Sequence, residues 1–131
     1  VGPGSFYVED WGIFGLDQSA EAAAGLFSVM SGQTISPKDI ASGAYLKAVK
    51  PVSADRRVTK DTVPSVLCYG VHDKMQPFAA SKPLVAALEE NGVDYRYFVA
   101  EHSGHGLQND KKVYMAYLDA VEEYLDKYMR E

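Results

Sequence analysis

Two short segments concentrate the residues suited to general acid–base work. Gly70-Val71-His72-Asp73 follows one apolar run, and Glu101-His102-Ser103-Gly104-His105-Gly106 follows another. A carboxylate that accepts from one imidazole nitrogen fixes the tautomer and leaves the other nitrogen free as a base. Asp73 paired with one of the histidines would be half of a nucleophilic-catalysis constellation. Asp73 also has a plain reading as a turn residue after a strand. His105, flanked by two glycines, is hard to account for by packing. His102 reads as a loop residue or as a support for the site, and His72 as lining the same edge without a chemical role. A zinc site from His72, Glu101, His102 and His105 is the weaker alternative, because Gly104 makes the loop irregular and no thiolate assists. Cys68, inside the apolar run, reads as a small buried hydrophobe, since a nucleophilic cysteine belongs at an exposed elbow.

These segments need elements that bring them together. Residues 65–69 (Ser-Val-Leu-Cys-Tyr) are nearly continuous in apolar character between Pro64 and Gly70, the pattern of a strand buried on both faces in a parallel sheet. A helical pattern covers about 77–91, with Leu84, Val85 and Leu88 on one face and Gly92 as its stop. Pro83 inside it predicts a late start or a kink. Residues 94–100 read as the next strand. Asp110 is placed to cap a last helix whose broad face holds Val113, Tyr114, Tyr117, Leu118, Val121, Tyr124, Leu125 and Tyr128, with core packing as its expected use. The order β-α-β-loop-α implies two parallel strands joined by a crossover, an α/β class. In such sheets ligands sit beyond the carboxyl ends of the strands, where both segments emerge.

The earlier part is less regular. Residues 1–18 read as a loop with anchoring aromatics (Phe6, Tyr7, Trp11, Phe14). Ser19 reads as an N-cap, followed by Glu21 where the helix dipole favours an acid. Ala22, Ala23, Leu26, Phe27 and Met30 form a stripe that Gly32 ends, and Gly25 weakens the helix by about 1 kcal/mol relative to alanine. Ser36-Pro37-Lys38-Asp39 is a second helix start, with proline at N1 and an acid at N3. That helix runs to about Val49, broken or frayed at Ser42-Gly43, and Pro51 ends it. Residues 51–63 read as a connector.

Composition sets bounds. The chain has 131 residues, 47% hydrophobic and 24% charged, enough for a buried core in one domain. A formal net charge of -5 argues against sequence-independent nucleic-acid binding. No run approaches about 18 apolar residues, so no membrane span is expected, and no signal peptide is evident. The single Cys68 suits a reducing compartment and favours the cytoplasm.

Val63-Pro64, Gly70-x-x-Asp73, Pro77, a helix ending in Asn91-Gly92, a strand and Ser103-Gly104-His105-Gly106 together resemble the C-terminal part of an α/β-hydrolase. The resemblance is to the esterase/lipase kind that includes feruloyl and acetyl-xylan esterase-like enzymes. The resemblance covers about residues 62–129, with 1–61 fitting more loosely as a loop and helical cover segment. It implies that Asp73 is the acid and His105 the base of a triad met in the chain order Ser, Asp, His. No serine lies in a Gly-x-Ser-x-Gly elbow: Ser5 is flanked at those positions by Pro3 and Tyr7, Ser31 by Val29 and Gln33, and Ser42 by Ile40 and Ala44. Ser103 follows Asp73 and is out of order, and the Gly-rich oxyanion loop is missing.

The expectation is therefore a C-terminal half of an α/β-hydrolase fold, a short parallel sheet flanked by helices, with 62–131 as the core part. It carries acid and base without the nucleophile, and it is inactive alone. The opening Val1-Gly2-Pro3-Gly4, without methionine, reads as a processed product or a piece of something longer. The resemblance implies a small-molecule ester substrate for the intact parent and no metal or organic cofactor. The rival is a non-catalytic hydrolase-like module that self-associates. Either way a cut parallel sheet leaves an open edge and uncovered apolar faces, so a homo-oligomer is expected.

Overall fold

The computed structural model describes residues 4–6 and 20–130, so the expected cap at Ser19 and the anchors Tyr7, Trp11 and Phe14 lie outside the described residues. Helix α1 spans Ala20–Ser31 and buries Ala23, Ala24 and Phe27. The buried stripe is narrower than expected, with Ala24 inside it and Met30 left exposed. Gly32, at φ 68°, turns the chain out of the helix as a C′ glycine does. Phe27 stacks on Tyr45 at 5.3 Å and meets the edge of Phe6 at 5.6 Å, forming one cluster with Ile35, Ile40 and Val49.

The Ser36 start signal is realised as a full capping box. Ser36 Oγ accepts from the Asp39 amide at 3.3 Å, and the Asp39 carboxylate accepts from the Ser36 amide at 2.7 Å. The break at Ser42-Gly43 divides the segment into α2 (Pro37–Ser42) and α3 (Tyr45–Val49), with Gly43 left-handed at φ 78°. The connector contains a 3-10 turn at Ala54–Arg56.

The second part is a two-stranded parallel sheet flanked by helices. Strand β1 is Ser65–Gly70, α4 is Phe78–Glu90, β2 is Tyr95–Ala100 and α5 is Lys111–Met129. The register runs from Ser65 opposite Tyr95 to Gly70 opposite Ala100. The period-2 alternation of the strands sorts side chains between the helices. Leu67 and Tyr95 pack with Leu84 and Leu88 of α4 and with Val93. Cys68, Phe98 and Ala100 pack with Leu107 and with Val113 and Tyr117 of α5. Burial deepens toward the carboxyl ends, where Cys68, Tyr69, Gly70 and Ala100 are buried while the first residues of both strands are only partly covered.

Two expectations are met only in part. Of the late start or kink predicted at Pro83, the late start does not occur: the helix runs through the proline from Phe78. Proline there removes the donor to the Ala79 carbonyl, and the first turns are held from outside. The Ser5 amide donates to the Ala80 carbonyl at 2.7 Å, and Ser81 Oγ donates to the Phe78 carbonyl and meets Tyr97 Oη at 2.7 Å. The broad apolar face of α5 is core only in part: Val113 and Tyr117 pack on the sheet cluster and Ala120 is fully buried, whereas Tyr114, Leu118, Leu125 and Tyr128 are each 40% exposed or more. A helix of 19 residues is about 28 Å long, whereas strands of six residues span about 20 Å, so a two-stranded sheet cannot cover it. Its far end is fastened by polar bonds instead, with Asp94 accepting from Tyr124 Oη at 2.8 Å, from Lys127 Nζ at 2.9 Å and from Tyr128 Oη. Among the described residues no helix is long and apolar enough to cross a membrane.

Candidate active site

The site forms where both strands end. Past Gly70 the chain turns, with the Asp73 amide donating to the Gly70 carbonyl at 3.2 Å. The Asp73 side chain then folds back as an Asx turn, Oδ1 accepting from the amides of Met75 and Gln76, each at 2.8 Å. Its other oxygen, Oδ2, lies 2.8 Å from His105 Nδ1. The carboxylate is fully buried, while the imidazole is 45% exposed. A buried carboxylate with three donors is held in one orientation. A proton on Nδ1 donated to Oδ2 would leave Nε2 as an acceptor on a half-exposed ring, the state required of a general base.

Close backbone approach brings the two loops together. A side chain at Gly70 would place its Cβ 2.3 Å from the Gly104 carbonyl oxygen and 2.4 Å from that of Ser103. Glycine therefore lets the His105 loop lie directly over the end of β1. The amides of Val71 and His72 donate to the carbonyls of Ala100 and Ser103, each at 3.0 Å, which extends the strand pairing into the loops.

The remaining residues singled out from the sequence separate. His72 is exposed and contributes its backbone. His102 points away from Asp73 and pairs with Asp110, its Nδ1 3.0 Å from Oδ1. The hydrogen bond and then the charge of Asp110 raise the His102 pKa above its ordinary value. Asp110 is lowered, first by the bond from Ser103 and then by that from His102. Asp110 was expected to cap α5, but its side chain makes no bond to that helix and turns back to the loop. Cys68 is buried, and burial pushes its thiol pKa up, so it behaves as the small hydrophobe expected. Among the described residues no three His, Cys, Asp or Glu side chains gather as metal ligands.

Sequence reasoning missed Ser103, Asn109 and Asp110 as the internal brace of the loop, and Leu107, whose φ of 56° is rare for a bulky residue. Gly70 had a signal, a glycine closing an apolar run. Asp110 had none beyond its place before a helix.

The profile of the prolyl oligopeptidase family matches residues 14–131, nine-tenths of the chain and both site loops. The chain belongs to the prolyl oligopeptidase family. No curated protein and no solved structure gives a significant match. Membership in this family places the chain among the α/β-hydrolases, as its motifs implied, and the parallel two-stranded sheet with flanking helices is compatible with part of that fold. Membership in that family supports a serine hydrolase-like chain.

Proposed function

We propose that Asp73 and His105 are the acid and the base of a serine hydrolase triad acting on carboxylic esters. The observation that carries this reading is the 2.8 Å bond between a buried, fully engaged Asp73 carboxylate and a half-exposed imidazole. In this reading a serine Oγ attacks the ester carbonyl while His105 Nε2 takes its proton. The imidazolium so formed, stabilised by Asp73, returns the proton to the leaving alcohol as the carbonyl re-forms, and water repeats the sequence on the acyl-enzyme. Peptide bonds, the substrate class in the family's name, pass through the same tetrahedral intermediate, and the ester assignment rests on the sequence resemblance alone.

The nucleophile in this reading comes from protein outside the present sequence. The His105 ring makes its hydrogen bond to Asp73, and among the described residues no serine hydroxyl is bonded to it. A fluorophosphonate probe applied to the 131-residue chain tests this. No labelling is expected, and labelling of any serine would place the nucleophile inside the chain. The coding sequence upstream of Val1 is the second check: a Gly-x-Ser-x-Gly after a predicted strand supports the enzyme, and a start codon at the boundary supports the rival.

That rival, a non-catalytic module that associates with a second copy of itself, is favoured by one feature. An apolar groove of about 610 Å³ runs between α5 and the approach to β1, lined by Val63, Val66, Val121, Leu125 and Met129 among others. Sedimentation at micromolar concentration is expected to show a dimer, and a monomer alone would remove this reading.

A further inference from the structure

The loop that carries His105 is organised around a carboxylate that His105 never touches. Asp110 Oδ2 accepts from the His102 amide at 3.0 Å and from Ser103 Oγ in a short bond, and Oδ1 faces His102 Nδ1 at 3.0 Å. Ser103 Oγ accepts in turn from the Asn109 amide at 3.1 Å, and Asn109 Nδ2 donates to the His102 carbonyl at 2.8 Å. The start and the end of the loop are thus tied to each other. Between them the chain is closed by the Leu107 amide donating to the Gly104 carbonyl at 3.3 Å.

His105 has little else to hold it. Its neighbours, Gly104 and Gly106, offer no side chain to pack. The restraint on its backbone must come from the residues on either side of that short stretch. One anchor is Leu107, buried beside Cys68 and Ala100 in a conformation that leucine seldom adopts. The other is Ser103, fully buried, whose hydroxyl is on Asp110 and whose carbonyl accepts from the amide of His72, the residue before Asp73. Asp110 therefore fixes the point at which the base loop is bonded to the acid loop.

We propose that Asp110 is a positioning residue for His105: by holding Ser103 and His102 it keeps the His105 imidazole in register with Asp73. This rests on the reading of Asp73 and His105 as an acid–base pair. Asp110 makes no contact with the reacting groups and acts only through the loop.

The test is the nitrogen-bound proton of His105 Nδ1, followed in long-range proton–nitrogen spectra of the 131-residue chain. Its signal reports the bond to Asp73 and is insensitive to a uniform loss of stability, which a thermal melt measures in parallel. Asp110→Ala is expected to abolish the signal while the folded spectrum persists, and Asp110→Asn, which keeps one acceptor oxygen, to retain it. A wild-type signal in Asp110→Ala overturns the proposal. If that variant does not fold, a chain carrying both His102→Ala and Ser103→Ala replaces it, since it removes both side-chain donors and keeps the carboxylate; loss of the signal supports the proposal and retention overturns it. Asp73→Asn separates the two readings. A signal that survives in that variant brings down the acid–base pair itself, whereas a signal lost there and kept in Asp110→Ala brings down the role of Asp110 alone.

Discussion

Gly70 and Ser103 are in contact through their backbones alone: a Cβ on Gly70 would sit 2.4 Å from the Ser103 carbonyl oxygen. Gly70→Ala must therefore push the His105 loop off the end of β1. Overpacking against backbone costs about 1–3 kcal/mol. A lowered melting midpoint is expected, together with faster exchange of the His72 amide, whose bond to Ser103 is the first to stretch.

Under the proposed acid–base reading, Asp73→Asn is expected to disable His105 as a base without removing the fold. Asparagine can keep its oxygen on the Met75 and Gln76 amides, which turns its NH2 toward His105 Nδ1. That nitrogen must then accept, the proton moves to Nε2, and the nucleophile loses its acceptor. In a form of the protein that turns over an acyl substrate, kcat should fall by about four orders of magnitude. A steady-state assay checks this, with a melting curve to show that the variant is folded.

The His102–Asp110 pair makes loop stability depend on pH from both sides. His102 is raised by Asp110, so its contribution is complete below the ordinary histidine range and is lost as pH climbs through the raised value. Asp110 is lowered by Ser103 and His102, so its contribution is complete above the ordinary carboxylate range and is lost as pH falls through the lowered value. Protection of amides 102–110, exchange measured relative to the unstructured rate at the same pH, is expected to be greatest in the mildly acidic interval between the two. His102→Ala should erase the alkaline limb and leave the acidic one, as hydrogen exchange against pH would show.

Ser36→Ala removes the hydroxyl that accepts from the Asp39 amide, while Asp39 can still accept from the residue 36 amide. Half of the capping box survives, and the expected loss is about 1 kcal/mol. The melting midpoint measures it, and the His105 ring signal should not change, because α2 lies in the cluster around Phe27 rather than at the sheet ends.

The sequence made the strands and their order legible because residues 65–69 are a short apolar run between Pro64 and Gly70 and residues 94–100 are rich in β-formers, and the chemistry-bearing loops follow directly. The juxtaposition of Asp73 with a histidine followed from parallel pairing, while the choice of His105 over His102 came from the resemblance. Asp110 was misread because an acid before a helix has a cheap local partner in the free amides of the first turn. The competing partners, Ser103 and His102, become visible only once the loop is folded. The core share of the α5 face was overread for another reason: periodicity says which side of a helix is apolar, not whether anything is wide enough to cover all of it. The late start at Pro83 did not follow, and the Ser5 and Tyr97 bonds that support the first turns of α4 involve partners distant in sequence.

The bond from His105 to Asp73 joins positions 32 apart in the chain, and between them lie α4, β2 and the start of the His105 loop. Such a contact cannot form in advance of the strands, since the entropy of closing that loop is offset only when the parallel ladder zips. The Asp73–His105 contact thus depends on sheet assembly: without the parallel ladder nothing holds the two polar loops together. Whatever chemistry the proposed pair performs rests on the hydrogen bonds that carry the pairing past the carboxyl ends of the strands.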